Sequence, residues 1–422
     1  MNVGYLMQNG AADLGTTSGP QLHVTAVIKG LERAGCRVRT VAIQQDTLQW
    51  SDDLVTWAAP RFGFSSMTTY RLGESCTRRA QTELKAPFLG LFDSLRFADA
   101  CTQMLRSCHV LYERHGYLGY GGAIAARRLG VPLVLEMNGN ILREIEERGV
   151  AMSPTQRRIG RWITRRTLLA AAHVVVVADA LKRELVTSLG LPPSRISVVQ
   201  NGVNLELFSR RFDPIPIRAR LGIGNGPTIV FVGSFQPWHG VDLLVAAFDL
   251  LRDRFPATQL VLVGEGDGRD TVIGRIRELG LERHVVMTGR LEQEEVAAVT
   301  GTADVLVAPY PSLRTDIVGT PLKLLEYMAA GGAIVASTAP LHDVVVEGIT
   351  AVRVEPASAI ALAAGIARLL ADEPMRARLG AAAWRQAQRY SWDGVAEQLK
   401  VILSTVLGGR TRATSLATAV TS

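Results

Sequence analysis

The sequence predicts an α/β protein of two domains, each built on a doubly wound parallel sheet. At 422 residues the chain is longer than one ordinary core, so two domains of about 200 residues each are expected. Strand and helix patterns alternate over nearly the whole length, which is typical of parallel sheets wound with helices. Apolar runs such as His173–Val177 suit strands that are buried on both faces. A segment rich in Pro and Gly, Arg210–Pro227, separates the two halves.

Six strands are expected in each half of the chain. In the first half they lie near Asn2–Met7, Arg37–Ile43, Val110–Tyr112, Pro132–Glu136, Val174–Ala178 and Ile196–Val199. In the second half they lie near Thr228–Val232, Gln259–Val263, Val285–Thr288, Val305–Ala308, Ala333–Ala336 and Ala351–Val354. Two helical stretches, Met375–Arg389 and Trp392–Leu407, follow, and residues 44–92 show the least regular pattern.

The stretch Thr315–Ser337 combines a Gly-Thr-Pro turn, a short apolar helix with Lys323 and Glu326, and a strand. Pro321 suits the first turn of the helix, and the pair Gly331-Gly332 suits its end. A helix N-terminus beside a strand end offers free N–H groups and partial positive charge, which favours an anion such as a diphosphate. Glu326, one turn in, would accept hydrogen bonds from ligand hydroxyls. The alternative is an ordinary crossover whose Glu faces solvent.

Glycine-rich or polar loops follow several strands in both halves. They are Gly15–Pro20, Met137–Asn140, Gly233–Gly240, Gly264–Gly268, Gly289–Leu291 and Gly319–Glu326. Ligands of open α/β sheets bind at the carboxyl ends of strands, so two such domains facing across a cleft would hold two substrates together. Arg269 stands where a dinucleotide fingerprint needs its third Gly, which argues against a nicotinamide enzyme. No Walker loop, H-E-x-x-H or G-x-S-x-G motif occurs in the sequence.

Charge is unevenly distributed along the chain. Residues 1–210 hold 25 Lys and Arg against 17 Asp and Glu, a net charge of +8, whereas residues 211–422 hold 21 against 22, a net charge of −1. The first half is therefore expected to meet an anionic partner, such as a phosphorylated lipid or an acidic membrane surface. The alternative is compositional bias, because only five of the 46 basic residues are Lys.

Residues 157–169 form a basic amphipathic pattern that contains Trp162. Such a helix either makes a peripheral membrane contact or is a solvated face whose apolar stripe covers the core. The four cysteines show no C-x-x-C pair, which fits a reducing cytosol rather than a disulfide scaffold or zinc site. The sequence shows no signal peptide and no apolar run of about 18 residues, so a cytoplasmic protein is expected.

Several short motifs follow one another along the chain. They are Ser18-Gly-Pro-Gln-Leu-His23, V-L-E-M-N-G, V-V-Q-N-G-V-N-L-E-L-F, F-V-G-S-F-Q-P-W-H-G, L-V-L-V-G-E-G-D-G, M-T-G-R-L, A-D-V-L-V-A-P-Y and G-T-P-L-K-L-L-E-Y-M-A-A-G. Together they resemble the family 4 glycosyltransferases of the GT-B architecture, which has two Rossmann-like domains facing across a cleft. The resemblance covers roughly residues 1–405.

The resemblance implies a retaining transfer of sugar from a UDP- or GDP-linked donor to an acceptor hydroxyl, with no metal or other cofactor. The acceptor would be anionic or lipid-linked, and no nucleic acid is expected as a partner. A non-catalytic binding or partner subunit on the same fold is the alternative. The expected domains are an acceptor-side domain (1–205), a linker (206–227), a donor domain (228–390), a helix crossing back to the first domain (391–407) and a disordered tail (408–422). Residues 44–92 would be an insertion facing the acceptor.

The resemblance also implies site residues. Donor contacts would come from Gly19, Ser234, His239, Arg290, Leu291, Gly319, Thr320, Pro321, Leu322 and Glu326. Glu326 would hold the ribose hydroxyls, and the backbone near Arg290 would meet the base. Asn138 would stand near the acceptor or the reacting sugar, and Lys323 is the second residue expected at the reaction centre.

Two departures from the family pattern concern charge. The Arg and Lys that often bind the diphosphate are replaced by Ser234 and His239, and the first Glu of the usual pair is Val318. This loss removes on the order of a few kcal/mol of stabilisation of a leaving diphosphate. We hypothesise that Lys323, the helix N-terminus and a protonated His239 replace it. The alternatives are a neutral His239 beside Trp238 and an outward-facing Lys323.

Overall fold

The computed structural model describes residues 1–8, 19–83, 91–140, 152–311, 320–337 and 344–420. The described residues form two compact units. The first contains those of Met1–Gln200 and the chain from Asp393 onward, and the second contains those between Asn201 and Trp392.

The first unit is built on a seven-stranded sheet in the order β3-β2-β1-β4-β5-β6-β7. Its elements are β1 (Asn2–Met7), α1 (Gly19–Arg33), β2 (Arg37–Gln44), β3 (Thr47–Ser51), α2 (Thr68–Glu83), α3 (Leu91–Met104), β4 (Val110–Arg114), α4 (Gly121–Leu129), β5 (Leu133–Met137), α5 (Pro154–Ala170), β6 (His173–Val176), α6 (Asp179–Leu189) and β7 (Ile196–Val198). All neighbouring strands are parallel except β2 and β3.

The second unit has a six-stranded, wholly parallel sheet in the order β10-β9-β8-β11-β12-β13. Its elements are α7 (Leu205–Phe208), α8 (Pro214–Leu221), β8 (Thr228–Val232), α9 (Val241–Asp249), β9 (Gln259–Val263), α10 (Arg269–Glu278), β10 (Val285–Gly289), α11 (Gln293–Gly301), β11 (Val305–Pro309), α12 (Leu322–Ala329), β12 (Ile334–Ser337), β13 (Val352–Val354), α13 (Ala359–Ala371) and α14 (Glu373–Ala387). The last helix, α15 (Trp392–Val420), belongs from Asp393 on to the first unit, where Arg33 of α1 pairs with Asp393 at 2.7 Å.

The strand orders confirm two doubly wound sheets. Central strands such as β5 and β11 are buried at every position, because helices cover both faces of a parallel sheet. The order reverses between β1 and β4 in the first unit and between β8 and β11 in the second. Ligands of such sheets bind outside the carboxyl ends of the strands at this reversal. The fold therefore directs attention to the residues that follow β1, β4, β8 and β11.

The structure differs from the expected linker. Segment 206–227 contains α8 and lies in the second unit. Asp213 caps α8, Pro214 occupies its first turn, and Gly222 ends it with φ +67°. The Pro and Gly residues therefore punctuate a helix rather than a flexible connection.

The described residues of the tail, up to Val420, continue α15, and disorder over 408–422 stays a prediction. The antiparallel strand β3 was not expected, because the region 44–92 lacks a strong pattern. Within the described residues, no helix is both long and apolar enough to cross a membrane.

Candidate active site

The side chain of Lys323 lies at the reversal point of the second sheet. Its Nζ is 4.4 Å from the ring centroid of Phe231 on β8 and 5.6 Å from that of Tyr310, which follows β11. The residue is 8% exposed, and Nζ has no hydrogen-bond partner among the described residues. A buried ammonium without a partner is costly unless a ligand supplies one. The outward-facing alternative for Lys323 is therefore wrong.

Burial controls the titration of Lys323 and its neighbour Glu326. Burial lowers the pKa of Lys323 to about 7, although Glu326 acts to raise it. Burial raises the pKa of Glu326 to about 7, although Lys323 acts to lower it. An anion placed beside Nζ would favour the charged ammonium. A bound diphosphate would therefore stabilise the protonated, positively charged form of Lys323.

Helix α12 presents an uncapped start next to Lys323. Pro321 is the N-cap, with ψ 137°. Its side chain makes no capping hydrogen bond to the helix. Pro321 therefore precedes the helix instead of occupying its first turn, and the helix begins at Leu322. Thr320 is buried, and its carbonyl accepts a hydrogen bond from Asn201 Nδ2 at 3.0 Å. Gly319 lies outside the described residues.

The structure contradicts the protonated His239. Burial, and secondarily Lys323, lower the pKa of His239 to about 3, although the Ser234 backbone acts to raise it. Nδ1 lies 2.6 Å from the carbonyl oxygen of Ser234, so it must donate, which leaves Nε2 as an acceptor in the neutral ring. The ring of Trp238 is 6.2 Å away, centroid to centroid. The neutral, packed alternative fits this structure better, because burial, and secondarily the nearby Lys323, disfavour the charged ring.

Glycines bring the loops after β8 and β9 into backbone contact. Gly264 has φ +134°, and a Cβ there would overlap the carbonyl oxygen of Gly233. A Cβ on Gly233 would lie 2.5 Å from Nζ of Lys323, and one on Gly266 would lie 2.7 Å from the nitrogen of Phe235. The motif G-E-G-D-G is thus explained by close approach of two loops that border Lys323. Arg290 and Leu291 follow the neighbouring strand β10; Arg290 is exposed and Leu291 is half-buried.

In the first unit, Gly19 begins α1 and is exposed, while Asn138 follows β5 and is half-buried. Asn138 Nδ2 donates to Glu136 Oε1 at 2.5 Å. His23 Nε2 and Arg114 Nη1 lie 2.5 Å and 3.4 Å from the same oxygen. The sequence places Glu136 and Asn138 together at the carboxyl end of a strand, but it does not indicate that His23 and Arg114 meet them. The signal in the sequence is an acid inside an apolar strand run, next to the Asn that the resemblance indicated.

A second buried acid lies on β4. Glu113 is 0% exposed, and burial raises its pKa to about 8, although the Gly122 backbone acts to lower it. A Cβ on Gly122 would overlap Glu113 Oε2. Burial therefore favours the uncharged form of Glu113, and α4 approaches it closely because residue 122 has no side chain. The sequence patterns do not identify Glu113 as a buried acid.

Comparisons with known proteins agree with this geometry. A family described as "Glycosyl transferases group 1" matches residues 215–386, and a "Glycosyl transferase 4-like domain" matches residues 18–202. A D-inositol 3-phosphate glycosyltransferase of Xylanimonas cellulosilytica is 30% identical over 68% of this chain and 69% of its own. One of Kineococcus radiotolerans is 30% identical over 69% of this chain and 70% of its own.

Solved structures show the same fold at low identity. HepE of Anabaena in complex with UDP superposes with a TM-score of 0.69 at 18% identity, over 96% of this chain and all of that one. Sucrose-phosphate synthase of Thermosynechococcus elongatus has a TM-score of 0.71 at 19% identity, over 97% of this chain and all of that one. The fold and site thus define a glycosyltransferase of GT-B architecture. The chain belongs to the family 4 glycosyltransferases.

Proposed function

We propose that the protein transfers a sugar from a UDP- or GDP-linked donor to an acceptor hydroxyl, with retention at the anomeric carbon and without a metal ion. The observation that carries this proposal is Lys323, whose Nζ is buried and without a hydrogen-bond partner among the described residues at the sheet reversal. When the bond from the anomeric carbon to the diphosphate oxygen breaks, negative charge gathers on the diphosphate. A fixed cation and free helix amides stabilise that charge most strongly in the transition state.

In this proposal the rest of the donor site follows the second sheet. The Thr320–Leu322 backbone and Gly319 meet phosphate and sugar, and Glu326 holds the ribose hydroxyls. Arg290 and Leu291 border the base, and neutral His239 offers Nε2 as an acceptor. Neither Ser234 nor neutral His239 supplies a positive charge, so Lys323 takes the cationic role toward the diphosphate. In the first unit, the backbone at Gly19 would approach the phosphates. Asn138 would stand near the reacting sugar or the acceptor.

A UDP donor and a phosphorylated acceptor are the specific substrates we propose. HepE, which shares the fold, has been solved with UDP and with UDP-glucose. The relatives at 30% identity carry the name D-inositol 3-phosphate glycosyltransferase. An anionic acceptor also fits the net charge of +8 over residues 1–210, with 25 basic against 17 acidic residues.

Binding and transfer are tested separately with the purified full chain. UDP is expected to raise the melting temperature, because a ligand at 100 times its Kd stabilises the folded state by about 2.7 kcal/mol. Incubation with UDP-glucose and D-inositol 3-phosphate is then expected to give a glycoside whose anomeric configuration, measured by NMR, matches the donor. If no UDP- or GDP-linked sugar or free nucleotide shifts the melting temperature, the donor site is wrongly assigned. Binding without turnover of any donor would favour the non-catalytic alternative.

We also propose that α5 makes a peripheral contact with an anionic membrane. Its buried face is formed by Gly160, Ile163, Thr164, Thr167 and Leu168. The opposite face exposes Arg158, Arg161, Arg165 and Arg166 together with Trp162, which is 59% exposed. None of these four arginines forms an ion pair with a residue in the described part of the chain. Basic residues beside an exposed Trp favour anionic headgroups.

The variant Arg158→Ser/Arg161→Ser is expected to bind vesicles of phosphatidylcholine and phosphatidylglycerol about 30-fold more weakly. This figure follows from about 1 kcal/mol for each basic residue near an anionic surface. Flotation of protein with vesicles measures it. The control Arg277→Ser/Arg283→Ser removes the same charge from exposed positions of the second unit. Equal loss in both variants, or no binding by the wild type, would rule out a contact through α5.

A further inference from the structure

One carboxylate oxygen in the first unit lies close to nitrogen atoms of three other side chains. Glu136 Oε1 lies 2.5 Å from His23 Nε2 of α1, 2.5 Å from Asn138 Nδ2 and 3.4 Å from Arg114 Nη1 at the end of β4. Glu136 itself is 1% exposed. This cluster lies at the carboxyl ends of β4 and β5, next to the reversal of the sheet order. It is built around a side chain that cannot reach solvent.

The charge of Glu136 decides which way the Asn138 amide faces. Burial by itself would raise the pKa of Glu136, but His23, Arg114 and Asn138 together lower it to about 2. An ionised carboxylate has no proton to donate and only accepts hydrogen bonds. The oxygen and nitrogen of an Asn side chain are assigned from such a network. Asn138 must therefore turn its NH₂ group toward Glu136, which leaves Oδ1 for another partner.

We propose that Glu136 is a positioning residue that holds the Asn138 amide so that Oδ1 accepts a hydrogen bond from a substrate hydroxyl. The inference rests on the proposed function, in which Asn138 stands at the reacting sugar or the acceptor. It adds the chemistry of that contact: the group beside Asn138 is a hydroxyl that donates. An ionised phosphate oxygen of donor or acceptor cannot donate, so it cannot be the partner of Oδ1.

An exchange of the two side-chain types tests the direction of this hydrogen bond. Asn138→Asp alone places a second carboxylate against the buried Glu136, so it is expected to lower the melting temperature and cut kcat/KM about 100-fold. Glu136→Gln alone lets the Asn138 amide turn over, because glutamine both donates and accepts, and is expected to cut kcat/KM about 10-fold. In the double variant the glutamine amide donates to the aspartate, whose second oxygen still accepts from the substrate. The double variant is therefore expected to recover to within about 10-fold of the wild type.

Two readouts separate positioning from folding. The melting temperature should recover in Glu136→Gln/Asn138→Asp relative to Asn138→Asp, because the like charges are gone. The matched control is Glu136→Gln/Asn138→Ala, which also lacks the two facing carboxylates of the Asn138→Asp variant. Its alanine offers the substrate no acceptor oxygen, so it should stay folded with turnover about 100-fold below that of the wild type. Turnover is measured with UDP-glucose and D-inositol 3-phosphate, or with whichever UDP- or GDP-linked sugar the wild type uses.

The outcomes decide between the two proposals. If the double variant recovers its melting temperature but stays as inactive as Asn138→Asp, Asn138 acts as a donor and the inference is wrong. If the melting temperature does not recover either, the pairing of residues 136 and 138 is wrong. If the wild type transfers no sugar from any UDP- or GDP-linked donor, the proposed function fails, and with it the role of Asn138 toward a substrate. In that case the melting temperatures still decide the pairing.

Discussion

Replacing Lys323 by methionine is expected to weaken UDP binding about 100-fold while making the protein more stable at pH 7. A hydrogen bond to a charged group contributes about 1.5–3 kcal/mol, and about 2.7 kcal/mol corresponds to this change in Kd. The stabilisation arises because Lys323 is buried without a hydrogen-bond partner in the described residues. An apolar side chain of similar size avoids the cost of burying a charged group that has no hydrogen-bond partner.

The gain in stability should depend on pH in a defined direction. The pKa of Lys323 is about 7 in the folded protein against 10.5 for an ordinary lysine. Between these values the unfolded chain holds the proton and the folded chain does not, so wild-type stability rises with pH. The advantage of Lys323→Met should therefore shrink from pH 7 toward pH 10.

Calorimetric titration with UDP and melting curves at pH 7 and pH 9 measure the two effects. Lys29→Met is the matched control, since Lys29 is an exposed lysine on α1. It should change neither UDP affinity nor the pH dependence. Unchanged UDP affinity in Lys323→Met would remove the central support for the donor site.

Replacing Gly264 by alanine is expected to destabilise the second unit by about 3 kcal/mol and to weaken UDP binding as well. Two terms add: φ at Gly264 is +134°, a conformation that costs other residues about 1–3 kcal/mol, and the new Cβ would overlap Gly233 O. Overpacking of this kind costs about another 1–3 kcal/mol. Relief of the overlap must move the Gly233 loop, which borders Nζ of Lys323.

Gly274→Ala provides the comparison within the same unit. Gly274 lies in α10, where a Cβ would meet nothing within 4 Å. Because alanine is the better helix former, this variant is expected to gain about 1 kcal/mol. Scanning calorimetry of both variants, with and without UDP, tests the pair. If Gly264→Ala melts as high as the wild type, close contact of the two loops does not shape the site.

The parallel strands were accessible to sequence reasoning because their signal is local. The predictions for Asn2–Met7, Thr228–Val232 and Gln259–Val263 match the observed strands end to end. These are apolar runs with glycine or polar residues after them, the pattern of a strand covered on both faces. The sequence does not predict the edge strand β3. It pairs with only one neighbour and is not buried on both faces, so it lacks the continuous apolar run of the central strands.

The motifs with their order indicated the family, and Lys323 and Glu326 were found because they occupy a helix that follows a strand and a Gly-Thr-Pro turn. What the motifs lacked was the protonation state of each residue. The sequence suggests His239 as a substitute cation. In the structure, burial of its ring and, secondarily, the nearby Lys323 lower the pKa of His239 to about 3. That result depends on distances between side chains far apart in the chain.

Local patterns in the sequence predict the two doubly wound sheets, the family and most positions of the loops at the strand ends. Local periodicity and turn residues encode these features directly. Three features follow only from the folded arrangement: the burial of Lys323 beside Phe231 and Tyr310, the lowered pKa of His239, and the hydrogen bond from Asn138 to Glu136. Burial and electrostatic coupling act through space, and the groups that set a charge or turn an amide come from different strands and helices.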